Sequence, residues 1–415
     1  MKASDEIGKV LILVLLIAAY LVVGGIFLVL VEQGVIDRAP PTPQPQDFPD
    51  ARPTVAYSSI PTSESLSAAL AYFEEHLRQP DGHINTFHSL TENPVERYDD
   101  TNSEAISYYL QISSQNDDQE SFDQTLNYIE TYMLHPQGDY LMWRLDGNRQ
   151  GVGEGRNIAP DAELRALRAL YIATDRWGGD QRYTQMIDTL ATSLEEIVIT
   201  DDYRMAAYGG MSGDTPWRGE VSYLAYSDFE VYDRLADTRR GVWISVAERM
   251  REITLGAQLE NGLYNSEYWP ESGYGTGIDG GAYSINSLWV MVRFAESNDP
   301  VLMASAQKSL NFYVDKFLED ARLYAAYTSS GEPAVDYESV WTYALVARAA
   351  SALGEESFAN IMENRMRSFQ DLDRDSPHYG AFIEGSDEDA RVGQFTMQEA
   401  ILTLQEIEGF APRFS

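Results

Sequence analysis

The chain of 415 residues contains no cysteine, which excludes disulfide bridges, thiolate metal ligands and a thiol nucleophile. Lysine is nearly absent, occurring only as Lys2, Lys9, Lys308 and Lys316. Lys and Arg together number 30 against 65 Asp and Glu, a formal net charge of −35. Such an excess repels polyanions and argues against nucleic acid or anionic lipid as a partner. The five histidines (His76, His83, His88, His135 and His378) form no H-E-x-x-H and no pair four residues apart. No helical zinc site is therefore expected, nor any other cofactor. A G-x-S-x-G elbow and a P-loop are also missing, which removes the commonest serine-hydrolase and nucleotide-binding signatures. The acidity fits either an adaptation to salt or an ordinary acidic surface.

Val10–Val31 carries no charged residue and, at about 1.5 Å per residue, is long enough to cross a bilayer core. It is longer than the apolar region of a cleaved signal peptide, and no small-residue cleavage site follows it. Residues 1–32 are thus expected to form an uncleaved transmembrane anchor. Lys2 and Lys9 before the span suggest a cytoplasmic N-terminus, so the expected location is the cell membrane, single-pass, with the globular part outside the cytoplasm. Residues 33–61 are rich in proline and read as an extended linker. Residues 62–415 are left as one folded domain.

Twelve amphipathic stretches follow, at about 63–79, 102–115, 119–134, 160–174, 180–199, 228–237, 240–259, 282–297, 300–318, 336–353, 355–370 and 393–408. Short connections at Gln115–Gln119, Thr174–Gly179, Asp237–Arg239, Ser297–Asp299 and Leu353–Gly354 alternate with long ones. Short loops make antiparallel neighbours, and long structureless ones tend to be functional. The rhythm predicts an all-α fold, an (α/α)6 toroid of six helical hairpins. The second helix and every alternate one after it would line the ring, and the long loops would crowd one face. A straight solenoid would show a fixed sequence period, and none is present. One small β-hairpin is expected near Leu141–Val152, turning at Asp146-Gly147. The glycines at 273, 275, 277, 280 and 281 read as a flexible loop over a cleft, with no strand before them.

Glu104, Asp161, Asp228, Asp279, Asp336 and Glu338 lie near the starts of successive inner helices. Acids in a first turn also serve the helix dipole, and Thr101-x-x-Glu104 fits a capping box. The residues that decide between these readings are Leu141-Met-Trp-Arg-Leu-Asp-Gly-Asn148, a spacer, and Ala159-Pro-Asp-Ala-Glu-Leu-Arg-Ala-Leu-Arg168. Together they resemble glycoside hydrolase family 8, whose pattern reads roughly LM-x-W-[KR]-x-D, a spacer, then A-T-D-A-D. Thr101-Asn-Ser-Glu-Ala105 and Tyr226-Ser-Asp-Phe229 with Asp233 are similar to two further family segments, in the same order.

The resemblance implies an (α/α)6 hydrolase acting on a β-linked polysaccharide or oligosaccharide with inversion. It assigns Glu104 as the general acid and Asp161 to holding the sugar beside the scissile bond. In many members a Tyr-Asp-Ala supplies the catalytic base, and here Tyr283-Ser284-Ile285 stands at that place. Asp279, five residues earlier between glycines, is the best replacement. Arg144, Asp228 and Tyr283 are the remaining polar candidates for substrate binding. Flat rings suit the C–H faces of sugars, and Trp143 and Trp269 are the best of the many loop aromatics. Ser284 also leaves open a second class, an inactive toroid that binds glycan or scaffolds a surface complex. The sugar, its linkage and the oligomeric state are not legible here.

The charge yields one prediction. Self-repulsion among so many acids should ease as salt screens it, so the melting temperature should climb from low to molar salt. A flat or falling curve would remove the salt reading.

Overall fold

The protein, as a computed structural model, is described over residues 60–90, 99–384 and 390–409. The anchor expected at 1–32 and all but the last two linker residues lie outside this range. Among the described residues no helix is long and apolar enough to cross a membrane, and twelve α-helices are present. They are α1 (Thr62–His76), α2 (Ser103–Gln115), α3 (Gln119–Tyr128), α4 (Pro160–Trp177), α5 (Gln181–Ile197) and α6 (Phe229–Thr238). The second half has α7 (Val242–Gly256), α8 (Ile285–Ala295), α9 (Pro300–Asp320), α10 (Val340–Ala352), α11 (Glu356–Arg367) and α12 (Gln394–Ile407).

Burial sorts them into two kinds. On α5 only a stripe is covered: Tyr183, Met186, Leu190, Ala191, Leu194 and Ile197. That helical spacing marks an outer helix with one wet face. On α2 every position from Ala105 to Gln115 is buried, and on α12 every position from Thr396 to Gln405. Helices covered all round must have neighbours all round; α2, α4, α8, α10 and α12 form the inner set with α6, which is buried only along Phe229, Val231, Tyr232 and Leu235. α2 packs on α4, α4 on α6, α8 on α10, α10 on α12, and α12 returns to α2. α6 reaches α8 through the Phe229 and Phe294 rings, 5.3 Å apart, and an Asp228–Arg293 ion pair of 3.2 Å. The ring therefore closes.

The sequence rhythm erred in one respect. Five of the six pairs are hairpins, but the sixth joins the two ends of the domain, since α1 packs on α12. Strand β1 (Phe87–Ser89) seals this seam by pairing antiparallel with β9 (Arg391–Gly393), His88 opposite Val392.

Strand is also more widespread than one hairpin. β2 (Thr101–Asn102) pairs with β3 (Arg144–Leu145), and Leu145 also bridges Gly151 antiparallel, so the expected fold-back is present and gains a second partner in the lead-in to α2. The Asp146-Gly147 turn exists, closed by the Asp146 carboxylate, which accepts from the Asn148 and Gln150 N–H groups. Its left-handed residue is Arg149 (φ 62°) rather than Gly147. A Cβ at Gly147 would lie 2.2 Å from the carboxylate of the exposed Asp99, which would have to move aside. True hairpins join β4 (Gly209–Ser212) to β5 (Thr215–Arg218), and β7 (Glu267–Trp269) to β8 (Gly273–Gly275), with β6 (Ser222–Tyr223) beside β7. The glycine-rich segment thus begins as a strand, with another before it, and the Ile278 N–H donates to the Glu267 carboxylate at 3.1 Å.

Asp228, expected at the substrate, has no access to one. It is fully buried, accepts two 2.7 Å bonds from the Arg168 fork and caps α6 through the Val231 N–H. Burial pushes its pKa up, but Arg168 and then Arg293 outweigh that and hold the carboxyl down at about 2. A depressed carboxyl contributes stability above its unfolded value and loses it as pH falls toward 2. Removing the charge takes one carboxylate from each of two buried guanidiniums, leaving Arg168 with Glu230 and Arg293 with Glu296, so Asp228→Asn should cost about 3 kcal/mol in chemical denaturation at neutral pH. The difference from the parent should shrink as pH falls from about 4 toward 2. An unchanged midpoint would mean the ring does not depend on this pair.

Candidate active site

The inner helices start where the long connections meet. Glu104 sits in the first turn of α2, but not as the back-bonding partner of a capping box. The cap is Asn102, whose side-chain oxygen accepts from the Ala105 N–H at 2.7 Å, while the Thr101 hydroxyl has no partner. Pairing of β2 with β3, together with a 2.9 Å bond from the Ser103 N–H to the Trp143 carbonyl, aligns this entry to α2. The Glu104 carboxyl is left free for other work.

Asp161 occupies the first turn of α4, after Pro160, and pairs one turn on with Arg165 at 3.5 Å. Arg165 is itself buried, with its guanidinium over the Tyr108 ring, 3.8 Å from the centroid. Burial raises the Glu104 pKa, the Asp161 charge raises it further, Arg165 offsets part of this, and Glu399 adds to the rise. The outcome is about 7. Asp161 is raised as well, by burial against the pull of Arg165. Tyr226 faces both acids, and its phenol is pushed well up by burial, then by Asp161 and Glu104. A carboxyl that keeps its proton to neutral pH, beside a second carboxyl and under a shared cation, is equipped to donate that proton.

Asp279 ends a 3-10 turn (Gly277–Asp279) ahead of α8. One carboxylate oxygen accepts from the Ser284 hydroxyl at 2.7 Å and from the Asn286 amide at 2.8 Å. The other oxygen is buried without a protein partner. These two bonds hold Asp279 beside Ser284. It is also absent from the charges that act on Glu104.

The remaining candidates divide. Trp143 is half-buried, with the Arg144 guanidinium 5.0 Å from its ring centroid. Arg144 pairs with Asp100 at 3.8 Å, a structural bridge and not one to Asp161 or Glu104. Tyr283 is corrected: it is buried, its backbone exchanges two bonds with Tyr327, and its hydroxyl donates to Asn265. Only 7% of Tyr283 stays exposed, which leaves little of the ring for a sugar. Trp269 keeps an exposed ring on β7, its indole N–H donating to Glu267 at 3.0 Å. Asp336 and Glu338 do not join the site through a helix start, because α10 is capped by Ser339 and Glu338 pairs with Arg365 and Tyr343.

Sequence reasoning missed Arg165, Tyr108, Tyr226 and Glu399 as a group. A signal was present for Arg165, since an arginine four residues after Asp161 on a helix otherwise apolar around it must be buried and paired. For Glu399 there was none, as its partners lie on other helices.

Residues 57–280 match the family model of Glycosyl hydrolases family 8. A reducing-end xylose-releasing exo-oligoxylanase of Paenibacillus barcinonensis is 37% identical over 116 residues, 26% of this chain and 28% of its own length. Endoglucanase C of Ruminiclostridium cellulolyticum is 26% identical over 254 residues, 58% of this chain and 53% of its own. The matches therefore span about half, or less, of these relatives. Among solved structures, a novel alpha-amylase from Clostridium perfringens superposes with TM-score 0.70 at 21% identity, over 82% of this chain and 97% of that one. A beta-1,3-1,4-glucanase from Paenibacillus sp. X4 gives 0.66 at 15% identity, over 86% and 95%. At these identities the structural likeness is one of fold. The family match covers more than half of the 415 residues and contains Glu104, Asp161 and Asp279; the chain belongs to glycosyl hydrolase family 8.

Proposed function

We propose that this chain hydrolyses a β-linked glycan of the xylan or glucan type, with inversion at the anomeric carbon, and that residues 1–32 anchor it in a membrane. The observation that carries the catalytic reading is the unbonded carboxyl of Glu104 at the start of α2, set near the Asp161–Arg165 pair, where burial and the Asp161 charge raise its pKa to about 7. Glu104 donates its proton to the glycosidic oxygen as the bond breaks, and Arg165 then offsets the new carboxylate. Asp161 holds the sugar through its hydroxyl groups. Water attacks from the opposite face and gives its proton to Asp279, whose second oxygen has no protein partner. Inversion requires the two carboxyls to stand about 6.5–9.5 Å apart, leaving room for that water. Rings support a sugar path outward from the acids: Tyr226 packs on Tyr223 at 5.3 Å, and the exposed Tyr208 and Trp217 pair at 6.2 Å on the hairpin beyond.

Ser284 at the usual base position supports the second reading, an inactive glycan binder. Hydrolysis assays on xylan, mixed-linkage β-glucan, cellulose oligomers and starch separate the two. The proposal expects turnover on a β-glycan that falls as pH rises through about 7, because Glu104 works only while protonated. Glu104→Gln should abolish it with folding and binding kept, and Asp279→Asn should slow it by about 10²-fold or more. Binding without turnover on any β-glycan would make the inactive reading the better one, and turnover unchanged in Asp279→Asn would move the base elsewhere.

The uncharged run Val10–Val31 motivates the anchor. The full chain should stay with membranes through an alkaline carbonate wash, and a chain lacking 1–32 should be released. Release of both would end the anchor proposal.

A further inference from the structure

Glu399, on α12, belongs to none of the segments that carry the family resemblance. It is fully buried, deep among the inner helices. The Tyr108 hydroxyl donates to one of its oxygens, and the Arg348 guanidinium reaches the other at 3.3 Å. Tyr108 is held at its hydroxyl end by Glu399, and its ring face carries the Arg165 guanidinium. Arg165 in turn pairs with Asp161 at 3.5 Å. The Trp289 ring closes the arrangement from α8, with Arg165 and Arg348 5.7 and 5.3 Å from its centroid. Glu399 is thus tied to the acid pair by one aromatic ring and one guanidinium.

We propose that Glu399 is a positioning residue for the proton donor, acting through Tyr108 on Arg165 to decide how much positive charge reaches Glu104. The proposal rests on reading Glu104 as that donor. Arg165 carries one unit of charge and is faced by three carboxyls, those of Glu104, Asp161 and Glu399. A carboxylate at 399 competes for that charge and leaves Glu104 neutral. A neutral group at 399 releases Arg165 to the other two and favours the Glu104 carboxylate.

The groups that face Glu399 set its own state. Arg348 approaches from α10, Arg165 from α4, Arg293 from α8, and the Tyr108 phenol and Glu104 from α2. Arg348 is shared with Glu296 at 2.5 Å and with Glu406, on the same helix as Glu399, at 3.2 Å. Burial raises the Glu399 pKa above the ordinary carboxylate value, and Arg348, the Tyr108 phenol, Arg165 and Arg293 offset only part of that rise.

Glu399→Gln keeps the shape and an acceptor for Tyr108 but removes the charge. The alkaline limb of kcat/KM should move down by about one pH unit, so that activity falls about tenfold above neutrality and stays near the parent's at pH 5. The infrared C=O band of protonated Glu104, identified as the band that Glu104→Gln lacks, should disappear at a correspondingly lower pH. Tyr108→Phe, which keeps the ring under Arg165 and removes only the hydroxyl, should shift both readouts the same way by less. It also serves if the Gln variant does not fold. Glu399→Asp, which keeps the charge, should restore the parent limb. An unmoved limb and band, with activity or melting temperature reduced equally at every pH, would overturn the proposal. The infrared titration needs no turnover, so a parent that hydrolyses nothing while its band still moves would fail the hydrolase reading alone.

Discussion

Four buried arginines hold the inner ring in register, and most of the site follows from where they stand. Arg168 on α4 grips Asp228 and Glu230 at the head of α6. Arg293 on α8 reaches back to the same Asp228 and along its own helix to Glu296. Arg348 on α10 takes Glu296 from α8, and Glu399 and Glu406 from α12. Arg165 takes Asp161. Desolvating a guanidinium costs several kcal/mol, offset only when good geometry and several hydrogen bonds meet it. Most of these pairs run between inner helices, so moving one helix relative to the next would leave a buried charge without its partner. Three of the four guanidiniums also lie around the Trp289 ring, which adds cation–π attraction and fixes their planes.

The same network supplies the chemistry. A ring packed with apolar residues to its axis would have no reason to hold a proton on Glu104. Here one cation, Arg165, lies among more carboxyls than it can neutralise, and the least compensated of them keeps its proton to about neutral pH. Asp228 illustrates the opposite result although it is fully buried, because two guanidiniums face it and its carboxyl is held at about 2. Two acids, each near the start of an inner helix, are thus driven in opposite directions, chiefly by which charges they meet.

The short strands have a positioning role that helical periodicity does not show. Pairing of β2 with β3 brings Trp143 and the entry to α2 together, and a 2.9 Å bond from the Leu141 N–H to the buried Glu163 ties that segment to α4. Glu104 and Asp161 are held by one local framework although 57 residues separate them. Burying Glu163 has a cost, since its carboxyl is pushed well up by the loss of solvent.

Helix number, the alternation of short and long connections, and the placing of Glu104 and Asp161 were legible in the sequence, because each depends on neighbours within a few residues. Apolar spacing along α5 and the Pro-Asp start of α4 are local facts, and so is the Ser-Glu segment on which the acid was assigned. Partner choice was not legible. Asp228 read as a cleft residue until Arg168 and Arg293, 60 and 65 residues away, enclosed it. Tyr283 read as a sugar contact, and the fold leaves it only 7% exposed. Leu141–Leu145 read as half of a hairpin, and it does bridge Gly151, but its second partner, Thr101, was out of sight. Asp279 was correctly picked out as standing near Ser284, yet only the folded loop turns that nearness into a hydrogen bond. Sequence by itself determined which segments are helical and in what order they alternate, since backbone periodicity and capping act over one or two turns. Only the tertiary structure decided which carboxyl keeps its proton, because that depends on the balance of desolvation and charge among groups that meet only when the ring closes.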